Sequence, residues 1–173
     1  KGQDINLSNT TSFNNDSLTY SWDFGDGTTS SKESPNKTYN STGSYTIKLT
    51  ATSKSYNCKD TRSKLITINA TPQAAYSVSN VCEYNAAGFS NNTSISQDTI
   101  SGYTWEFGDG NTSSVKSPVY QYASDGSYST SLIATSNNGC EDTARQSLTV
   151  HPQPSAGMNF NNQCKNDTVK FQN

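Results

Sequence analysis

The sequence predicts an all-β chain folded as tandem β-sandwiches. Three observations carry this: the chain repeats itself, its apolar residues alternate with period two, and its polar residues are those of turns and half-exposed strands. Of 173 residues, 28 are Ser, 22 Thr and 20 Asn, while hydrophobic residues make up only 30%. Ser, Thr and Asn compete with a helical backbone for hydrogen bonds, whereas Thr, Tyr and Phe suit a pleated, half-buried surface. The aromatic residues recur in register, and disordered tracts are poor in them.

The repeat can be followed residue by residue. Tyr20, Trp22, Phe24, Gly25, Asp26 and Gly27 return 83 positions later as Tyr103, Trp105, Phe107, Gly108, Asp109 and Gly110. Pro35, Tyr39, Gly43, Tyr45 and Leu49 return as Pro118, Tyr122, Gly126, Tyr128 and Leu132. Between "SKSYNC" (53–58) and its counterpart "SNNGC" (136–140) one residue is lost and the interval drops to 82, placing Cys58 on Cys140, Ile66 on Leu148 and Ile68 on Val150. A surface turn tolerates the loss of one residue. "PQAAYSVSNVCEYNAAGFSN" (72–91) then matches "PSAGMNFNNQCKNDTVKFQN" (154–173), with Cys82 on Cys164. We therefore expect a first repeat over 1–71 without its opening strand, a complete second over 72–152, and the start of a third over 153–173.

The elements of one repeat follow in order. Tyr20, Trp22 and Phe24 share one face of a strand that runs into Gly25-Asp26-Gly27. That triplet is a turn: glycine allows positive φ, and Asp can hydrogen-bond its own backbone. "YTIKLTAT" (45–52) puts Tyr45, Ile47, Leu49 and Ala51 on one face. Ile66 and Ile68 share a face of the closing strand, "NATPQ" joins the copies, and Tyr76 and Val78 share a face of the strand that opens the next. Six or seven such strands in each copy predict immunoglobulin-like sandwiches arranged end to end.

These residues carry a family resemblance. "YSWDFGDGTTS", "SPNKTY" and "GSYTIKLTAT" in the first copy, with "YTWEFGDGNTS", "SPVYQY" and "GSYSTSLIAT" in the second, resemble the PKD (polycystic kidney disease) domain. The resemblance covers nearly all of 1–152, with one departure: Glu106 stands where the first copy has Asp23. It implies a folding role for the motif residues Trp22, Asp23, Phe24, Gly25, Asp26 and Gly27, and for Trp105, Glu106, Phe107, Gly108, Asp109 and Gly110. The added cysteines, in "VCEYN" and "GCEDT", make the chain similar to the PKD arrays of Bacteroidota cell-surface proteins, gliding-motility adhesins among them. This implies a non-catalytic spacer or stalk of a large secreted or cell-surface adhesin. Its partners would be neighbouring PKD repeats, with surface polysaccharide or another cell-surface protein beyond them. The alternative is a carbohydrate-binding accessory module of an extracellular hydrolase.

Other chemistries find little support. A net charge of −2 without a basic run argues against nucleic acid. No apolar stretch approaches the ~20 residues of a membrane span. The lack of a leader-like segment fits a mature or excised piece. No cofactor is expected, and calcium is the nearest rival. Asp23 with Asp26, or Glu106 with Asp109, offers oxygens, but calcium takes about six to eight and no Asp-x-Asp-x-Asp-Gly loop occurs. Zinc lacks any C-x-x-C, and the single histidine, His151, adjoins Pro152 at a repeat boundary. One histidine, no G-x-S-x-G and no phosphate loop leave no catalytic constellation. Tyr39, Tyr56, Tyr84, Tyr120 and Tyr122 are candidates for a sugar-binding platform, which requires them coplanar on one face.

Two modifications are expected. Exported Bacteroidota proteins resemble one another in carrying O-glycans at Asp followed by Ser or Thr and a small or apolar residue. The similarity implies Ser17, Thr99, Thr143 and Thr168 as candidate sites. Four cysteines in a chain of exported character imply disulfides. Cys82–Cys140 would lie within the complete repeat. A sandwich, however, puts those two turns at opposite poles, ~17–20 Å or more apart, and a disulfide needs Cα atoms within about 7 Å. That distance favours pairing between repeats, with Cys140 bonded to a cysteine before Lys1 and Cys82 to a residue beyond Asn173; Cys82–Cys140 is the alternative. An opening strand that crosses over early would restore the first pairing, with Cys58 and Cys164 then left over.

Overall fold

A computed structural model describes residues 4–14 and 16–158; Cys164 and Thr168 lie outside them. The chain falls into two compact units. One comprises Lys1–Thr71, Ile95–Thr99 and Ser136–Cys140; the other comprises Pro72–Ser94, Ile100–Thr135 and Glu141–Asn173.

The first unit holds β1 (Asp4–Asn6), β2 (Leu18–Asp23), β3 (Thr29–Ser30), β4 (Asn36–Thr38), β5 (Gly43–Ser53) and β6 (Lys59–Ile68). The main antiparallel sheet has the order β3-β2-β5-β6, and β1 pairs with β4 opposite it. The β2–β5 register sets Trp22 across from Leu49, and β5 and β6 pair along ten positions. Period-two alternation turns Trp22 and Ile47 inward, where Phe24 and Tyr39 complete the buried cluster. Ile5, Leu7, Tyr45, Leu49, Ile66 and Ile68 pack around it, each partly exposed.

The second unit repeats this plan with more strand. Its elements are β7 (Tyr76–Ser77), β8 (Val81–Cys82), β9 (Ala86–Gly88), β10 (Ser90–Asn91), β11 (Ile100–Glu106), β12 (Thr112–Ser113), β13 (Val119–Gln121), β14 (Gly126–Ser136) and β15 (Glu141–His151). The main sheet runs β12-β11-β14-β15-β8, with β13-β9 and β10-β7 as smaller pairs. Tyr76, Phe89, Trp105, Phe107, Tyr122, Leu132, Leu148 and Val150 fill its core. Burying each such side chain stabilises the fold by about 1.5–3 kcal/mol.

The expected six or seven strands become nine among the described residues of this unit. The opening run is divided: β7 pairs antiparallel with β10, then the chain crosses and β8 pairs parallel with the end of β15. Asn80 marks the crossing, its Oδ1 accepting the Thr149 N–H at 3.0 Å. A change of pairing partner inside one apolar run leaves no periodicity signal, so strand counting alone misses it.

Candidate functional site: the repeated Gly-Asp-Gly turn

Each copy of the motif begins with a buried Trp whose indole N–H finds a backbone acceptor. Trp22 Nε1 donates to Lys32 O at 3.0 Å, and Trp105 Nε1 donates to Val115 O at 2.9 Å. Two residues on, Phe24 and Phe107 are buried and offer their carbonyls to a distant phenol. Tyr39 OH donates to Phe24 O at 2.7 Å, and Tyr122 OH to Phe107 O at 2.9 Å. The glycine after each Phe has φ of +75° or +87° and lies against a neighbouring strand. A Cβ there would meet Thr46 O at 2.7 Å from Gly25, or Ser129 O at 2.6 Å from Gly108. These two positions admit glycine for both conformation and space.

The motif carboxylates are engaged locally. Asp23 Oδ1 accepts Gly25 N–H at 2.9 Å, whereas Glu106 Oε2 reaches the Ser131 hydroxyl at 2.7 Å. Asp26 Oδ1 accepts from Thr28 N at 3.1 Å and from Thr28 Oγ1 at 2.6 Å. Its Oδ2 lies 2.6 Å from Lys37 Nζ, which also sits 5.3 Å from the Phe24 ring centre and 5.1 Å from that of Tyr39. The Lys37 ammonium first, then the Thr28 hydroxyl, hold Asp26 at about 2 against an ordinary 3.8.

The second copy rebuilds this corner without a cation. Tyr120 replaces Lys37, donating to Asp109 Oδ2 at 2.6 Å while its ring stacks on Phe107 at 4.0 Å. Asn111 donates to Asp109 through both its backbone N–H and its side chain. Burial pushes Asp109 upward, but the bonds from Tyr120 and Asn111 outweigh it and the net direction is down.

Among the described residues no group of His, Cys, Asp and Glu is arranged to hold a metal ion. The carboxylates offered by sequence as calcium ligands face donors in their own sandwich instead. The proposed tyrosine platform also separates. Tyr39 and Tyr122 are core residues and Tyr120 is stacked, which leaves Tyr56 at 65% and Tyr84 at 61% exposure. The correction has a simple cause: a phenol that bonds a buried carbonyl keeps its ring inside.

Of the glycan candidates, Ser17 and Thr99 are exposed and Thr143 is half-buried. The carboxylates beside Ser17 and Thr99 hold turns, which the Asp-Ser/Thr pattern does not reveal. Asp16 accepts from Ser53 Oγ, from Ser55 N at 2.8 Å, and from Ser55 Oγ at 2.9 Å, pinning the β5–β6 turn. Asp98 does the same work on the β14–β15 turn through Asn138 at 2.9 Å. Recurrence of an Asp 82 positions apart was the available signal. The thiols of Cys58, Cys82 and Cys140 are free.

Comparison with known proteins decides what this repeated architecture is. A family model of the PKD domain matches residues 1–68 and again 69–151. The chain belongs to the PKD domain family. Its PKD repeats are 34% identical over 105 residues to the pre-pro-metalloprotease PrtV of Vibrio cholerae, a match covering 57% of this chain and 11% of that protein. A microbial collagenase of Vibrio alginolyticus is 38% identical over 61 residues, covering 35% of this chain and 8% of the collagenase. The chain thus spans about a tenth of the length of these relatives. Among solved structures, the PKD1 domain of the Vibrio cholerae metalloprotease is similar at 33% identity, with a TM-score of 0.44 over 47% of this chain and 98% of that one.

Proposed function

We propose that the chain is a non-catalytic spacer of a secreted or cell-surface protein, presenting an adhesive element through consecutive PKD repeats. One observation carries the reading: both copies spend the motif's aromatics and carboxylates on bonds within their own sandwich. A repeat whose side chains are used this way lengthens a molecule without adding chemistry. The relatives, a metalloprotease and a collagenase, favour a second reading, an accessory module of an extracellular hydrolase. Co-sedimentation with insoluble polysaccharides separates the two. No saturable binding is expected; binding that disappears in Tyr56→Ala or Tyr84→Ala would replace the spacer with the accessory module.

The cysteines fit pairing between repeats of an array. Cys82 is in register with His151 at one end of β15, and Cys140 precedes Glu141 at the other. Eleven residues of strand separate them by roughly 35 Å, far beyond the ~7 Å a disulfide spans. Peptide mapping under non-reducing conditions should recover no Cys82–Cys140 pair; finding that pair ends the proposal. Ser17, Thr99 and Thr143 remain the proposed glycan acceptors, with Thr168 beside them in sequence terms. Mass spectrometry of native material that returns only unmodified peptides removes that idea.

A further inference from the structure

The turn between β14 and β15 contains a dipeptide found nowhere else in the chain. Of the 20 asparagines, Asn138 alone precedes a glycine. Both residues are exposed, and an added Cβ at Gly139 would meet nothing within 4 Å. With no side chain in the way, a glycine amide nitrogen can reach the side-chain carbonyl carbon of the asparagine before it. Attack on Asn138 Cγ forms a cyclic imide, and Nδ2 leaves as ammonia with the proton that the Gly139 amide gives up. Water then opens the imide at either carbonyl, leaving aspartate or an isomer whose backbone runs through the side chain.

The folded turn works against this closure at both reacting groups. Asn138 Nδ2 donates to Asp98 Oδ2 at 2.9 Å, which ties the leaving group to a neighbouring loop. The attacking nitrogen is also engaged, because Gly139 N–H donates to Ser136 O at 2.9 Å. Asn137 fixes the turn to the same loop, its backbone N–H donating to Thr99 O at 3.0 Å and its side chain to Thr99 Oγ1. The Thr99 N–H first, then the Asn138 amide, hold Asp98 below the usual carboxylate range, so it faces Asn138 ionised. The first copy closes its turn without such a dipeptide. Cys58 follows Asn57 there, and Asp16 draws on the hydroxyls of Ser53 and Ser55.

We propose that Asn138 is a site of spontaneous deamidation, that Asp98 restrains the reaction, and that the product opens the turn. The reaction replaces an amide that donates to Asp98 by a carboxylate that can only accept. Two like charges then face each other across what was a hydrogen bond, and the isomer adds a methylene to the backbone beside Gly139. Chemical ageing of the folded chain thus begins at this turn, ahead of the other asparagines.

Peptide mapping with separation of the isomers, on chain held in mildly alkaline buffer, tests this. In urea-unfolded chain Asn138 should be modified well before Asn57, and Gly139→Ala should slow it severely. In folded chain, Asp98→Ala should speed the reaction by about tenfold or more, the factor that loss of one charge-assisted hydrogen bond carries. Asp98→Asn, which keeps an acceptor oxygen without the charge, should fall between. Asn138→Asp should speed amide exchange at Asn137 and Gly139. Combining it with Asp98→Asn, which again sets a donor against an acceptor, should restore protection. Asn57 ageing as fast as Asn138 in urea overturns the proposal. Equal rates with and without the Asp98 substitutions, or full protection in Asn138→Asp, overturn it as well.

Discussion

Gly25 and Gly27 share a motif and a positive φ, yet they carry different constraints. Gly25 lies against the backbone of Thr46, while Gly27 has nothing within 4 Å of an added Cβ. Gly25→Ala is therefore expected to cost about 3 kcal/mol or more, combining backbone strain with a clash that β5 cannot avoid. Gly27→Ala should cost only the conformational part, about 1–2 kcal/mol. Urea unfolding of the two variants checks this, with the midpoints shifting and the slopes unchanged. Equal losses would mean that the contact with Thr46 contributes nothing. The corner beside these glycines shows how the copies diverge: Lys37 with Asp26 and Tyr120 with Asp109 fill one place by different chemistry.

At the level of elements, the β5–β6 hairpin depends on a residue outside it. Asp16 accepts hydrogen bonds from Ser53 first, then from Ser55 and Ser17, and these hold it at about 2 against an ordinary 3.8. The folded-state value is depressed, so the stabilising contribution is present above pH 4 and lost as pH falls through about 2. Asp26 acts in the same direction and over the same window. Hydrogen exchange should therefore show the amides of Lys54 and Ser55 losing protection between pH 4 and pH 2. Asp16→Asn should expose both at neutral pH and flatten that acid dependence. An unchanged pH profile in the variant would show that the turn closes without the carboxylate.

For the whole molecule, the uneven covering of the two cores predicts an order of unfolding. The first sandwich leaves Leu49, Ile66 and Ile68 partly exposed, while their counterparts in the second are buried. Each unit contains a single tryptophan, Trp22 or Trp105, so two variants report on the units separately. Fluorescence of Trp105→Phe follows the first sandwich and should show the lower urea midpoint; Trp22→Phe follows the second. Coincident midpoints would mean that the partial exposure of Leu49, Ile66 and Ile68 carries no penalty. The substitutions shrink a core aromatic in each case, so the comparison is between equivalent perturbations.

The sequence by itself determined the fold class, the repeat interval and the inward faces of the long strands. Those follow from local periodicity and turn chemistry, which act between neighbours along the chain: Ile47, Leu49 and Ala51 are legible as one face wherever the strand lies. It also marked Trp105, Phe107 and Gly108 as a structural set, because a motif stated twice in the same alternating context points to a fold. Tertiary structure alone decided which partners those residues meet. That Tyr39 bonds the Phe24 carbonyl, that Asp16 pins a turn some 40 residues away, and that the opening run switches from β10 to β15 depend on contacts between distant segments. A hydrogen bond across that separation leaves no periodic trace in either segment. The chain pattern specifies which side of a strand is buried, and only packing specifies against what.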